Sequence, residues 1–177
     1  MKPSVNDLQT IEKLNQARRD LKKEPAKIII GQEPVLDQLA PEKLRGMGAN
    51  VINFSTSSRS QFVDITDRIQ KMITESNRRD GLCHIWVPHT TAGLTINENA
   101  DPSVVSDIVN HLDKMVPWNN GYQHSEGNSA AHIKSSLMGC HLTVAIKDGR
   151  LHLGTWQGIY FCEFDGPRQR QVWLNIL

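Results

Sequence analysis

All seven histidines of this 177-residue chain fall between His84 and His152. Side chains that can bind a metal or move a proton near neutral pH are thus confined to one stretch. His89, His124 and His132 stand in polar, turn-rich phrases, "PHTTAGLTINENADP" and "HSEGNSAAHIKSS", outside any apolar periodicity. Grouped in this way, they predict one site assembled from several loops. Two imidazoles and a carboxylate with an open position suit Zn²⁺ or a related divalent ion such as Mg²⁺. His124, His132 and Asp101 are the candidate ligands, although their spacing follows no standard metal signature.

Each candidate has a plainer reading beside it. Asp101-Pro102 opens a helical pattern, so Asp101 serves equally well as an N-cap. A helix N-terminus also favours an anion, and Thr95, Asn97, Glu98 and Asn99 keep the approach to it polar. Further on, Gly154-Thr155-Trp156-Gln157-Gly158 reads as a close approach to a ligand or as a bulged edge strand. For Trp156 the expectation is the edge strand, with the indole packed inward. Arg168 offers a fork matched to phosphate, or pairs with a structural carboxylate. His84 and His111 read as structural, and His141 and His152 as surface residues.

The bulk composition narrows the function classes. With 20 basic against 19 acidic residues, the chain lacks the basic excess that non-specific nucleic-acid binding requires. No apolar run approaches the roughly 20 residues of a membrane span, and the polar N-terminus carries no secretory signal. Cys83, Cys140 and Cys162 form no CxxC pair, and the expectation is buried free thiols in a reducing cytoplasm.

The elements that must position the site follow from periodicity. Residues 1–48 read as an extension: a helical stripe through Leu8, Ile11, Leu14 and Leu21, a short "KIII" strand, and a glycine-closed turn. The main domain, 49–177, opens with a strand in "ANVINFSTSS" and a helix in "DITDRIQKMITES". A β-rich run, "GLCHIWVPHTT", leads to a second amphipathic helix carrying Val105, Ile108, Val109 and Leu112, which Pro117 ends. Asp148-Gly149 marks a hairpin, and "IYFCEF" and "RQVWLNIL" extend it as a meander. The fold class is α+β: a mostly antiparallel sheet, sandwich or meander, with two principal helices. Apolar residues on both faces of the last strands predict a further cover, either a neighbouring subunit or the N-terminal extension.

Three phrases, "HTTAGLTINENADP" (89–102), "HSEGNSAAHIKSSL" (124–137) and "GRLHLGTWQGIYFCEFDGPRQR" (149–170), resemble the YjbQ family, also called uncharacterised protein family 0047. The resemblance covers about two-thirds of the chain and leaves the first ~50 residues outside it. It implies a small cytoplasmic homotrimer with polar clefts near its subunit interfaces, holding a metal or an anion. It also implies a weak thiamine-phosphate synthase activity, joining a pyrimidine diphosphate to a thiazole phosphate with release of pyrophosphate. On that reading Asp101, His124 and His132 hold the metal, and Glu126, His89 and Glu98 are the catalytic candidates. Thr90, Thr91, Asn97, Asn128, Lys134, Thr155, Gln157 and Arg168 would bind the phosphorylated ligand. The alternative is a trimer that binds a phosphometabolite or metal without turnover, or whose polar clusters are interfacial hydrogen-bond networks.

Overall fold

Alternating burial along the strands sets the main layer of the structure, a computed structural model that describes residues 50–177. The features expected within residues 1–48 lie outside the described residues. Strands β1 (Asn50–Ser55), β8 (Gln169–Ile176), β3 (Gly81–Trp86), β5 (His141–Lys147) and β6 (Arg150–Leu151) form a five-stranded sheet in that order. A second sheet orders β2 (Gln61–Asp64), β7 (Gln157–Glu163) and β4 (Ala92–Glu98). Every pairing in both sheets is antiparallel. One face of the larger sheet contributes Ile52, Phe54, Ile85, Val144, Val172 and Leu174 to a core shared with Leu94, Ile159 and Phe161 of the smaller sheet. Helix α1 (Thr66–Glu75) adds Ile69 and Ile73 to that core, both fully buried.

The other face of the smaller sheet is covered by α2 (Pro102–Met115) and α3 (Ser129–Met138). There Tyr160, Cys162 and Phe164 pack with Leu112 and Ala131, flanked by Val105, Ile108, Trp118 and Met138. β7 is therefore buried on both faces, which explains its unbroken apolar run. Burying one large apolar side chain stabilises by about 1.5–3 kcal/mol, against about 0.2–1 kcal/mol for a cross-strand pair. Layer burial rather than pairing thus keeps β7 at the centre of its sheet.

Local chemistry places the boundaries. Asp148 and Gly149 both have positive φ, 53° and 78°, and Lys147 pairs with Arg150 across this two-residue turn, as a right-twisted hairpin demands. Asp101 caps α2 by accepting the Ser103 N–H at 2.8 Å, with Pro102 in the first turn. At the α1 start Ile65 holds the cap position, and Asp64 Oδ1 accepts the Thr66 N–H and hydroxyl at 2.8 and 2.6 Å.

Three further features depart from the sequence reading. "SAAHIKSSL" forms a full third helix. The hairpin does not continue into an adjacent strand, because β6 and β7 lie in different sheets and only β8 returns to the first. Helices of the same chain therefore supply the second cover that β7 requires. Among the described residues nothing covers the outer face of the five-stranded sheet, where Trp86 is 40% and Val51 37% exposed, and where Trp86 meets Trp173 edge-on at 5.0 Å. Cys83 and Cys162 are buried and free as expected, but Cys140 is exposed because it lies in the loop between α3 and β5.

Glycine permits the close approach of α3 to β4. A Cβ at Gly93 would stand 2.7 Å from Met138 Cβ and 2.8 Å from the Gly139 carbonyl oxygen. The second contact is backbone that is already fixed by the Leu94 N–H bond to Gly139 O at 3.0 Å. Gly93→Ala should lower stability by about 1–3 kcal/mol through overpacking. Denaturant unfolding tests this, and an unchanged midpoint would show that α3 can lift away freely.

Candidate functional site

A buried ion pair anchors the site. The Arg170 Nε and terminal nitrogen donate to the two Glu163 carboxylate oxygens at 2.6 and 2.5 Å. Glu163 is fully buried and Arg170 nearly so. Unassisted, such a pair scarcely repays the desolvation of its charges, but here further hydrogen bonds support both partners. Thr56 Oγ1 and the N–H groups of Phe164 and Asp165 donate to Glu163, and Arg170 donates to Thr91 Oγ1 at 2.9 Å. Burial pushes the Glu163 carboxyl up, but the Arg170 bonds and charge, with the Asp165 N–H and Thr56 hydroxyl, outweigh it and hold the group below its ordinary value.

His89 is tied to the same centre. Its Nε2 accepts the Gln171 N–H at 2.9 Å, which requires an unprotonated nitrogen there and leaves Nδ1 to carry the proton. Burial, then the charge of Arg170, lowers its pKa, with Glu163 opposing. Thr91 is buried, and its carbonyl accepts the Phe164 N–H. The Thr90 carbonyl accepts from Ser135 Oγ at 2.6 Å, which pins α3 to the β3–β4 loop.

Asp165 extends the network outward. Its carboxylate accepts from Arg168 at 2.6 Å and from Asn128 Nδ2 at 3.1 Å. Because a carboxylate only accepts, Asn128 must turn its NH₂ towards it. Asn128 Oδ1 is then left buried without a partner among the described residues. Arg168 also donates from Nε to the Asp165 carbonyl. Its side chain is 53% exposed, and such a pair contributes only about 0–1 kcal/mol, so a better-matched anion could compete for the fork.

The histidine pair stands at the start of α3. The rings of His124 and His132 face each other edge-on, with centroids 5.3 Å apart, and Glu126 lies 3.8 Å from His124 Nε2. Tyr122, Gln123, His124, Ser129, His132 and Ile133 line an open cleft of about 470 Å³. Neither imidazole has a hydrogen-bond partner among the described residues, and no three His, Cys, Asp or Glu side chains there stand close enough to hold a metal.

Lys134 is turned away from this cleft. At helical spacing it shares the inward side of α3 with Ala130, Ala131 and Ser135. Its ammonium pairs with Asp113 of α2 and lies 4.0 Å from the centre of the Trp118 ring. The cation expected to meet a phosphate is therefore fully buried in a helix–helix contact.

The remaining candidates gather at the far end of β4. Asn97 and Glu98 pair with Gly158 and Gln157, and Asp101 follows as the α2 cap. At about 3.3 Å per residue, the six steps from Ala92 to Glu98 span roughly 20 Å. The far end of α2 gives the same answer: Asp113 touches Lys134, and Asp101 lies twelve residues, or about 18 Å, away along the helix. One chain does not bring Asp101 to the histidine pair. Gln157 Oε1 accepts the Gly154 N–H at 2.8 Å, and Thr155 is exposed beside it. Trp156, expected to pack inward, is 64% exposed, because it occupies the turn before β7 rather than a strand interior.

Residues 50–177 match the family described as UPF0047 protein YjbQ-like. The chain belongs to the YjbQ family. It is 58% identical over 122 residues to a UPF0047 protein of Methanocaldococcus jannaschii, covering 69% of this chain and 88% of that one. It is 46% identical over 127 residues to YugU of Bacillus subtilis, covering 71% and 96%. A crystal structure of a YjbQ/UPF0047 protein from Clostridium acetobutylicum superposes with a TM-score of 0.71 at 53% identity, covering 72% of this chain and 99% of the other. A YbjQ-like protein of unknown function from Sulfolobus solfataricus superposes at 0.70 with 29% identity, covering 73% and 96%.

The family region thus holds two polar groups at opposite ends of one strand. Sequence reasoning put Glu163 and Arg170 in the third phrase but gave them no role, and it missed Thr56 and Tyr122. The available signal was two opposite charges flanking the Asp165-Gly166-Pro167 turn, the most compact way to return one strand end to another. Glu163→Gln leaves Arg170 buried without its countercharge and should cost about 3–5 kcal/mol at pH 7. The unfolded carboxyl titrates near 4.3 and the folded one lower, so its contribution is complete above about pH 4.3 and disappears as pH falls through the folded value. Urea unfolding of both proteins from pH 7 to pH 3 should show their difference narrowing in acid. A constant difference would mean that the Glu163 charge is not what stabilises.

Proposed function

We propose that the protein handles a small phosphorylated metabolite with a divalent metal, in a cleft completed between copies of the chain. The observation that carries the reading is the pair of facing imidazoles of His124 and His132, without hydrogen-bond partners among the described residues, in an open cleft. Two neutral imidazoles suit Zn²⁺ better than Mg²⁺, and Glu126 stands beside one of them. Bound there, a divalent ion would neutralise phosphate charge and assist departure of pyrophosphate. Asp101 and Glu98 of a neighbouring copy supply the missing carboxylates, since their own chain holds them about 20 Å away. Arg168 presents a fork at the rim, with Asn128, Thr90 and Thr91 beneath it and Thr155, Gln157 and Asn97 at the opposite end. His89, neutral and hydrogen-bonded, supports the rim, and Glu126 is the acid/base group.

A thiamine-phosphate synthase-like transfer, from a pyrimidine diphosphate to a thiazole phosphate, fits these residue types. Binding without turnover uses the same donors. The open outer face of the five-stranded sheet, with Trp86, Trp173 and Val51, supports self-association into a closed trimer. Three unpaired cysteines suit a reducing cytoplasm. Among the described residues, no helix is long and apolar enough to cross a membrane.

His132→Ala and Asp101→Asn should each abolish stoichiometric Zn²⁺ binding while the fold persists, because Asn retains most of the capping function. Coexpressed, the two variants should regain about a quarter of the wild-type sites, since one interface in four then joins two intact halves. Elemental analysis of the purified mixture reads this directly. No recovery refutes the shared site, and full metal content in His132→Ala refutes the histidine assignment.

A further inference from the structure

We propose that His84 and His141 form a second metal site, a pair of imidazoles on the outer face of the five-stranded sheet that takes a nitrogen-preferring ion such as Cu²⁺. It is independent of the histidine cleft, because His132 belongs to α3, which covers the smaller sheet on the other side of the core.

Register brings the two rings together. β3 and β5 are antiparallel, with His84 opposite Thr143 and Trp86 opposite His141. His84 and His141 are therefore diagonal neighbours on one face, because side chains two residues apart on a strand point the same way. Cys83, Ile85 and Val144 alternate with them and enter the core, so both imidazoles face outward. Their ring centres are 5.7 Å apart, with planes tilted by 38°. Metal–nitrogen bonds of about 2.0–2.1 Å put two imidazoles on one ion with centres roughly 5 Å apart. A small rotation of the exposed His141 ring closes the difference.

Each ring has one nitrogen engaged and one left over. His84 Nδ1 is 3.1 Å from Thr143 Oγ1, and His141 Nδ1 is 3.8 Å from Cys140 Sγ. With both Nδ1–H groups donated to these partners, each Nε2 keeps its lone pair for a metal, and a fixed tautomer of this kind is what ligating histidines require. Burial, and then the charge that His141 would carry, lower the His84 pKa, which keeps that ring neutral at pH 7.

The surroundings select the ion. Trp86, Thr143, Trp173 and Asn175 are the nearest strand residues on this face, and none is charged. Lys147 and Arg150 pair at the hairpin end, about 13 Å along β5 from Thr143. No carboxylate joins the imidazoles, and the Cys140 thiol meets Nδ1 rather than the ligating nitrogen. Among the described residues, no three His, Cys, Asp or Glu side chains gather to hold an ion. Two neutral nitrogens with water in the other positions favour Cu²⁺ over Zn²⁺. Such a site exchanges its ion with buffer and adds nothing to the metal retained through purification.

The test is a Cu²⁺ titration of the full chain carrying Cys140→Ser, which removes an oxidisable thiol and keeps a hydroxyl beside the His141 ring. Trp86 lies opposite His141 and 5.0 Å from Trp173, so an ion at the pair should quench tryptophan fluorescence. Equilibrium dialysis counts the ions bound. In His84→Gln and in His141→Gln the saturable quenching should weaken roughly tenfold or more, with one ion fewer per chain. His132→Ala should leave that quenching unchanged. Quenching and ion count that survive both His84→Gln and His141→Gln, or that disappear with His132→Ala alone, would overturn the proposal. The cleft reading stands or falls separately, on Zn²⁺ retained in the purified protein, which neither His84→Gln nor His141→Gln should alter.

Discussion

The Glu163–Arg170 pair is the point at which the two sheets, the candidate site and the turn at 165–167 meet. Glu163 ends β7 in the smaller sheet and Arg170 lies in β8 of the larger one. The chain must leave one sheet and enter the other within seven residues. Two buried opposite charges hold that crossing because each would be costly alone, and Thr56, Thr91 and backbone N–H groups add hydrogen bonds to them. An apolar pair could bury the same volume, but it could not fix the direction of the Asp165 and Arg168 side chains that follow. Those side chains present the carboxylate and guanidinium of the rim, with Asn128 bonded to the same carboxylate.

Burial on both faces of β7 has a second consequence. With its sides closed by the larger sheet and by the helices, the smaller sheet can offer chemistry only at its ends. The polar residues collect there: His89, Thr91, Asp165 and Arg168 at one end, and Asn97, Glu98, Asp101 and Gln157 at the other. The helices reinforce the division. α2 carries Asp101 at its start and Asp113 at its finish, and Asp113 is committed to Lys134. That ion pair and the Trp118 ring, over which Arg59 lies 3.8 Å from the centre, lock α3 in place and orient His132 into the cleft.

A ligand that uses both ends must therefore be served by two copies of the chain. Under the shared-site proposal, the outer sheet face with Trp86 and Trp173, uncovered among the described residues, is the surface on which such copies would meet. One end carries Asp165, Arg168 and the facing histidines, and the other carries the exposed Trp156 beside Gln157.

Much of this was legible from the residues. The α2 start follows from Asp101-Pro102 and the hairpin from Asp148-Gly149, because these local preferences act within a few residues and need no tertiary partner. The α+β class follows from the change of apolar period, and membership of the YjbQ family from three long polar phrases. The pairing of His124 with His132 was also readable, being a contact across eight residues. Tertiary structure alone decided the rest. Whether Lys134 faces a phosphate or Asp113, whether Trp156 is buried or exposed, and which sheet receives β7 all depend on groups 20 to 100 residues away. The separation of Asp101 from the histidines belongs to the same class, since it is set by the length of β4 and the direction of α2. Local sequence specifies where an element starts and which side is apolar, but only packing decides what that side meets.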